Sequence, residues 1–302
     1  MALTTAFIRS SLLSLLFTPF MVFATPSIDM DSALPADRQA IILKTLANVT
    51  TLAGELRQPA KIAFRKAQKT DFYEGAVTDI EKDTIILTKL ALDLSPAAFE
   101  AVIAHEITHL IVAANFHIPG EAPSSEKRLI DHIKASKSSM DYSNAVLAMA
   151  HTPYAELLCD LMAVIATRNP KAISEMMTEI KNLAALDPEL EKRIAVSFKD
   201  QPNDLSWRDF TLSHNDPRWA AYTPSDFNYN RFNQIRAYLG ERWLHELPIE
   251  KHPALFANTL SLLDQVYLTQ QLEYVVSTQG LVTANKMLIE FLEQKLSEKM
   301  PK

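Results

Sequence analysis

One short apolar segment, Ala104 to Leu110, constrains the fold most because it carries the pattern H-E-x-x-H. The pattern consists of His105, Glu106 and His109, and a Ser-Pro pair upstream is typical of a helix start. Residues four apart on a helix differ by about 40° in azimuth and about 6 Å along the axis, so both imidazoles can reach one metal ion. Glu106, about 100° round the helix, can handle a proton without coordinating the ion. The segment therefore predicts a buried metal-binding helix.

A second segment offers the third protein ligand that a catalytic zinc ion requires. Between Tyr154 and Ala163, Glu156 and Asp160 stand four residues apart among apolar neighbours, where unpaired carboxylates are costly to bury. If this face packs on the histidines, Glu156 can ligate the metal and Asp160 can accept a hydrogen bond from the outer nitrogen of an imidazole. The alternative is that both carboxylates face water on an amphipathic helix. His117, in a Pro/Gly loop, and His132, on a polar helix, are expected to be solvated.

The combination of His105-Glu106-x-x-His109 with Glu156-x-x-x-Asp160 resembles the gluzincin metallopeptidases, especially their prenyl-protease-like branch. The resemblance covers the two motif helices, about a fifth of the chain. It implies a zincin-like domain that hydrolyses peptide bonds with one catalytic Zn²⁺ ion. In this domain the two histidines and Glu156 are ligands, Glu106 is the general base, and Asp160 supports a ligand. A small sheet beside the metal helix would align the substrate. The multi-span membrane architecture of some members is absent, so membrane substrates do not carry over.

Enzymes of this kind commonly add a His, Tyr or Arg from further along the chain to stabilise the oxyanion. Here the irregular stretch from Asp200 to Asn230 offers His214, and Arg231 follows it. The family's downstream His-Pro and Arg element is matched only loosely, because two residues separate His214 from the next proline. The alternative is a loop histidine and an arginine that caps a helix or pairs with Asp226.

Composition favours an α+β, predominantly helical fold without cross-links. Glycine is scarce, at 5 of 302 residues, whereas Ala, Leu, Glu and Lys are plentiful. The single cysteine, Cys159, lies in an apolar run and is expected to be a small buried hydrophobe, so no intrachain disulfide can form. No Lys/Arg-rich block accompanies the net charge of -6, which argues against nucleic acid as a partner.

Hydrophobic periodicity predicts the order of the elements. A helix over Ala36 to Leu56 is followed by three short strands, Lys61 to Ala67, Ala76 to Ile80 and Thr84 to Leu92, and then by the metal helix, Pro96 to about Ala114. The remaining predicted helices are Glu126 to Ala135, Tyr142 to His151, Tyr154 to Thr167, one or two within Pro170 to Phe198, Phe232 to Leu244, and Pro253 to Lys299 with a break near Gly280. A domain boundary, if one exists, is expected within residues 200–230.

The first 24 residues have the pattern of a secretory signal peptide: one positive charge, an apolar run, and small or slim residues before a cleavage point at Ala24. A membrane anchor is the alternative, but the apolar run of about 14 residues is shorter than the roughly 20 needed to span a bilayer. Residues 25–302 are therefore predicted to form an exported domain, periplasmic or secreted, without stable membrane insertion. Its expected partner is a peptide or protein substrate, and its oligomeric state is open.

Two other interpretations use the same residues. In one, an exported zincin scaffold acts as a binding or interaction module, with the metal structural or absent. In the other, a helical periplasmic scaffold carries H-E-x-x-H by chance, which happens in about one in a hundred chains of this composition. Glu106→Gln separates enzyme from binding module, because the enzyme alone loses its effect while it keeps zinc.

Overall fold

The computed structural model describes residues 26–68, 75–118, 125–135, 142–188, 191, 208–224 and 227–300. The predicted signal peptide and most of residues 189–207 lie outside this part of the chain. The strands are β1 (Ser27–Met30), β2 (Lys61–Lys66), β3 (Ala76–Asp79) and β4 (Thr84–Leu87). The α-helices are α1 (Ala36–Ala53), α2 (Lys89–Asp93), α3 (Pro96–Asn115), α4 (Leu129–Ala135), α5 (Tyr142–Thr167), α6 (Ala172–Ala184), α7 (Phe227–Asn230), α8 (Asn233–Leu239), α9 (His252–Thr269), α10 (Gln271–Gln279) and α11 (Leu281–Lys299). The described fold is α+β and predominantly helical, as expected.

The four described strands form one mixed sheet in the order β1-β2-β4-β3. Strands β1, β2 and β4 run parallel, and β3 pairs antiparallel with β4 at the sheet edge. Side chains on alternate positions of the inner strands, Ile62, Phe64, Ile85 and Leu87, are fully buried in the main core. The edge strand β3 packs against α3, so the small sheet lies beside the helix that carries H-E-x-x-H, as expected.

The strand predicted over Thr84 to Leu92 is wrong beyond Leu87. Thr88 caps a short helix, α2, by accepting a hydrogen bond from the Ala91 N–H. Three consecutive residues, Leu90 to Leu92, are then buried, which a strand with alternating faces does not allow. The local hydroxyl cap therefore overrides the apolar pattern.

The core of the protein is the pair α3 and α5, which pack along each other. Ser95 caps α3 by accepting from the Ala98 N–H, and Pro96 occupies the first turn, as predicted. Among the described residues, α3 is the one helix long and apolar enough to cross a membrane, but 83% of that window is buried inside the protein. The two helices predicted over residues 142–167 are one, because α5 continues through Pro153.

The C-terminal helices differ from the prediction in two further places. The helix expected over Phe232 to Leu244 becomes α8 followed by a π-helical turn, Gly240–Leu244. The predicted break at Gly280 is present, with φ of +87°, and a second break occurs at Gln270, with φ of +55°. One continuous hydrophobic cluster joins these helices to α1, α3, α5 and the sheet.

Candidate metal centre

Helices α3 and α5 bring the two sequence motifs together. His105 Nε2 lies 3.1 Å from His109 Nε2. His105 Nε2 lies 3.4 Å from Glu156 Oε2, and His109 Nε2 lies 3.4 Å from the other oxygen, Glu156 Oε1. Ligands bound to zinc at about 2.0–2.1 Å in a tetrahedron lie about 3.3 Å from each other. The two imidazole nitrogens and the Glu156 carboxylate therefore form a donor triangle of about the size that one tetrahedral ion requires. Two overlapping groups could hold a metal ion: His105 with Glu156 and Asp160, and His105 with His109 and Cys159.

Asp160 lies behind His105, where the sequence placed it. Its Oδ1 is 3.0 Å from His105 Nδ1. The two atoms are within hydrogen-bonding distance, although Nδ1 makes no well-directed hydrogen bond. A proton on Nδ1 that faces Asp160 leaves the lone pair of Nε2 for the donor triangle.

Glu106 is turned toward the edge of the sheet. The hydroxyl of Thr78 on β3 lies 2.7 Å from Glu106 Oε2 and 2.9 Å from the Glu106 carbonyl oxygen. The carboxylate is buried, so this hydrogen bond offsets part of its desolvation. Sequence reasoning did not find Thr78, since nothing in a four-residue strand marks one threonine as the partner of the glutamate.

Two buried arginines that sequence reasoning missed complete the cluster. Arg208 donates from Nη2 to Glu156 Oε2 at 2.7 Å and from Nε to Asp160 Oδ2 at 2.6 Å. Arg236, on α8, donates from Nε to Asp160 Oδ2 at 2.6 Å. The signal for such partners was present in the carboxylates themselves, because two carboxylates on an apolar helix need counter-charges.

The carboxylates are held ionised by these arginines. Burial raises the pKa of Glu156, but Arg208 and the imidazoles outweigh it and lower that pKa to about 2. Burial also opposes the charge of Asp160, yet Arg208 and Arg236 hold its pKa well below the usual range. Two buried anions thus face two buried cations. Because both carboxylates are ionised, each can coordinate a metal ion or accept a hydrogen bond.

The two imidazoles are inequivalent. Burial lowers the pKa of both, but Glu156 and Asp160 reverse the effect for His105 and raise its pKa to about 9. For His109 burial dominates and its pKa is lowered, since Glu156 compensates only in part and His105 acts against it. A metal ion entering the triangle therefore displaces a proton from the histidine pair.

Cys159 is buried, as predicted. Its sulfur and one nitrogen each of His105 and His109 lie within 4.8 Å of one another. Burial and the neighbouring carboxylates raise the pKa of the thiol well above its usual value. In the absence of a metal ion the sulfur is therefore a neutral thiol.

The expectation of a solvated histidine is wrong for His117. His117 is largely buried, and its Nδ1 lies 2.5 Å from Asp264 Oδ2 on α9. Its backbone N–H also donates to Asp264 Oδ1 at 2.8 Å, so a distant carboxylate holds the chain just after α3. His132 on α4 is half-buried. His151 on α5 is buried edge-on against Phe116, with ring centroids 5.0 Å apart.

The two candidates for oxyanion stabilisation make other contacts. His214 Nδ1 lies 2.7 Å from Glu241 Oε2, and its ring packs on Tyr238. Arg231 is buried and donates to Glu273 Oε2 at 2.9 Å. Asp226, the alternative partner for Arg231, lies outside the described residues. The role in oxyanion stabilisation stays a prediction for both residues.

The chemistry of the centre must be argued from its own geometry. Two imidazole nitrogens and one carboxylate converge on one point, and a second carboxylate supports the first imidazole. Comparison of the chain with protein-family models, with curated proteins and with solved structures finds no match.

Proposed function

We propose that the protein is a zinc-dependent peptidase of zincin-like α+β fold, with its active site between α3 and α5. The observation that carries the proposal is the donor triangle, whose edges of 3.1 and 3.4 Å fit a tetrahedral zinc ion. His105, His109 and Glu156 hold the ion. Three protein ligands leave a fourth position for water or substrate, as catalytic zinc sites require.

The residues around the triangle supply the acid–base chemistry. When bound, zinc polarises the scissile carbonyl and lowers the pKa of its water. Glu106, next to His105 on α3, takes a proton from the attacking water and returns it to the leaving amine. Thr78 holds this carboxylate through the 2.7 Å hydrogen bond. Asp160 fixes the tautomer of His105.

The edge strand β3 supports a peptide as the substrate. Its inner edge pairs with β4, and no other described strand pairs with its outer edge, so that edge would offer backbone groups to an extended chain. The same strand reaches the proposed base through Thr78. A peptide paired with β3 would therefore lie beside Glu106.

The alternative is an exported zincin scaffold that acts as a binding or interaction module. It is favoured by one observation: the charges of Glu156 and Asp160 are already balanced by Arg208 and Arg236. A cluster balanced in this way can be purely structural.

The test compares zinc content and cleavage of a mixed peptide library for the wild type and Glu106→Gln. The wild type should hold about one zinc ion per chain and cleave peptides. Glu106→Gln should keep its zinc and lose about 10²–10⁴-fold in rate. Cleavage at the wild-type rate in Glu106→Gln would overturn the role of the base. A wild type with full zinc and no cleavage would favour the binding module.

A further inference from the structure

Arg208 bonds to both carboxylates of α5 at once. Its guanidinium bridges Glu156 Oε2, at 2.7 Å, and Asp160 Oδ2, at 2.6 Å. All three side chains are at least nine-tenths buried. A planar guanidinium with several fixed donors suits such bridging, because its geometry sets the orientation of each carboxylate.

Arg208 also holds Glu156 in place. Within the described part of the chain, the hydrogen bond to the Glu156 carboxylate comes from Arg208. The imidazole nitrogens approach this carboxylate at 3.4 Å, which is a ligand-to-ligand separation rather than a good hydrogen bond. Without Arg208 the carboxylate could rotate out of the donor triangle, because its last torsion is soft.

Arg236 provides an internal comparison. It is equally buried and donates to the same Asp160 oxygen, at 2.6 Å. Its other described bond goes to Asn233 Oδ1, at 3.1 Å. Arg236 therefore neutralises Asp160, whereas Arg208 also reaches the proposed metal ligand.

The backbone that presents Arg208 is fixed from outside the two motif helices. Arg208 adopts a left-handed conformation, with φ of +51°, which non-glycine residues adopt when their surroundings enforce it. Two residues later, Phe210 is fully buried. Its carbonyl oxygen would lie 1.7 Å from a Cβ at Gly240, so glycine is required there. The segment 208–210, which carries Arg208, thus packs closely on the start of the π-helical turn.

We infer that Arg208 is the positioning residue that fixes Glu156 as a metal ligand and makes the metal centre depend on segment 208–210. The inference rests on the proposed function, because it assumes that Glu156 binds the ion. Residues that orient metal ligands typically contribute about 10–100-fold to metal affinity. Arg208 touches no reacting atom, so its effect should appear in metal binding and in the geometry of the bound ion.

The experiment measures zinc affinity at fixed pH by competition with a chromophoric chelator, in the full chain. Arg208→Met should lower the affinity about 10–100-fold. Arg208→Lys should recover part of it, because the charge remains but the fork of donors is lost. Arg236→Met, the matched control, removes the same charge from Asp160 and should lower the affinity less.

The absorption spectrum of the Co²⁺-substituted protein supplies a readout that a merely structural role does not move. It should change in Arg208→Met and stay like the wild type in Arg236→Met, because Arg236 does not contact Glu156.

If Arg208→Met fails to fold, the lysine variant carries the test alone. Unchanged affinity and spectrum in Arg208→Lys and folded Arg208→Met would overturn the inference and leave the peptidase proposal intact. Tighter zinc binding would also overturn it, by showing that the arginine competes for Glu156. A wild type that binds neither zinc nor Co²⁺ would overturn both proposals.

Discussion

Among the described residues, two largely buried histidine–aspartate pairs have different surroundings. His105 lies 3.0 Å from Asp160, and His117 lies 2.5 Å from Asp264. Asp264 accepts bonds from both the ring and the backbone N–H of His117, so this pair ties the chain after α3 to α9. Asp160 instead shares its oxygens with two arginines. A buried His–Asp pair alone therefore does not indicate a metal site.

The difference lies in what faces the far side of each ring. His105 Nε2 faces a second imidazole at 3.1 Å and a carboxylate at 3.4 Å. Electron-pair donors at such distances are stable together only with a proton or a metal ion between them. The described ring neighbours of His117 do not form such a group. Convergence of several donors, and not the pairing of one, distinguishes the proposed metal centre.

The largest effect is expected from removing the histidines of the donor triangle. His105→Ala combined with His109→Ala removes both imidazole ligands, so zinc measured by atomic absorption should fall from about one ion per chain to none. His117→Ala is the matched control. It should keep its zinc but lower the free energy of unfolding by about 3 kcal/mol, because Asp264 remains buried without its partner. Equal zinc contents in the two variants would remove the distinction between the pairs.

Substitution of the aspartates should also have the larger effect in the pair that contains His105. Asp160→Asn leaves Arg208 and Arg236 without their shared anion, so the free energy of unfolding in urea should fall by about 3–5 kcal/mol. Asp264→Asn leaves a histidine that can become neutral, so the loss should be about 1–2 kcal/mol. A greater loss in Asp264→Asn than in Asp160→Asn would mean that the arginines are compensated elsewhere.

The sequence predicted the donor triangle because each half of it is local. His105 and His109, like Glu156 and Asp160, are four residues apart, and helical periodicity places such residues on one face. We expected the two helices to pack face to face because burying carboxylates without partners costs free energy. The α+β class followed from composition and from apolar periodicity.

What the sequence did not predict depends on residues far apart in the chain. Asp264 is 147 positions from His117, and no periodic pattern links them. Arg208 lies in an irregular stretch, where no spacing rule indicates the direction of a side chain. Strand β1 is four residues long and exists because β2 pairs with it. Pro153 suggested a break in α5, but the packing of α5 along α3 overrides this local signal.

His151 is also buried, no described carboxylate forms an ion pair with it, and it should make stability sensitive to acid. Burial lowers its pKa from 6.5 to about 3, reinforced by His109 and only partly opposed by Glu156. Between these pH values the unfolded chain binds a proton that the folded protein does not. Stability is thus lost as pH falls through this window, by up to about 1.4 kcal/mol per pH unit.

In His151→Phe this loss should be absent. Its free energy of unfolding in urea, relative to that of the wild type, should therefore rise as the pH is lowered from 6.5 to 3.5. A constant difference would contradict the assignment.

The smallest effect is expected at Cys159, the residue that most directly tests whether the donor triangle has an open position. Its sulfur lies near both histidines of the donor triangle. Because burial raises the pKa of the thiol, we expect it to stay protonated and not to coordinate. Cys159→Ala should therefore change zinc affinity by less than about threefold and lower the free energy of unfolding by about 1 kcal/mol for the lost packing.

The Co²⁺-substituted wild type should show no sulfur-to-cobalt charge-transfer band. A strong band that disappears in Cys159→Ala would mean that the thiolate occupies the fourth position. The centre would then be a closed structural site, and the binding module would replace the peptidase as the better proposal.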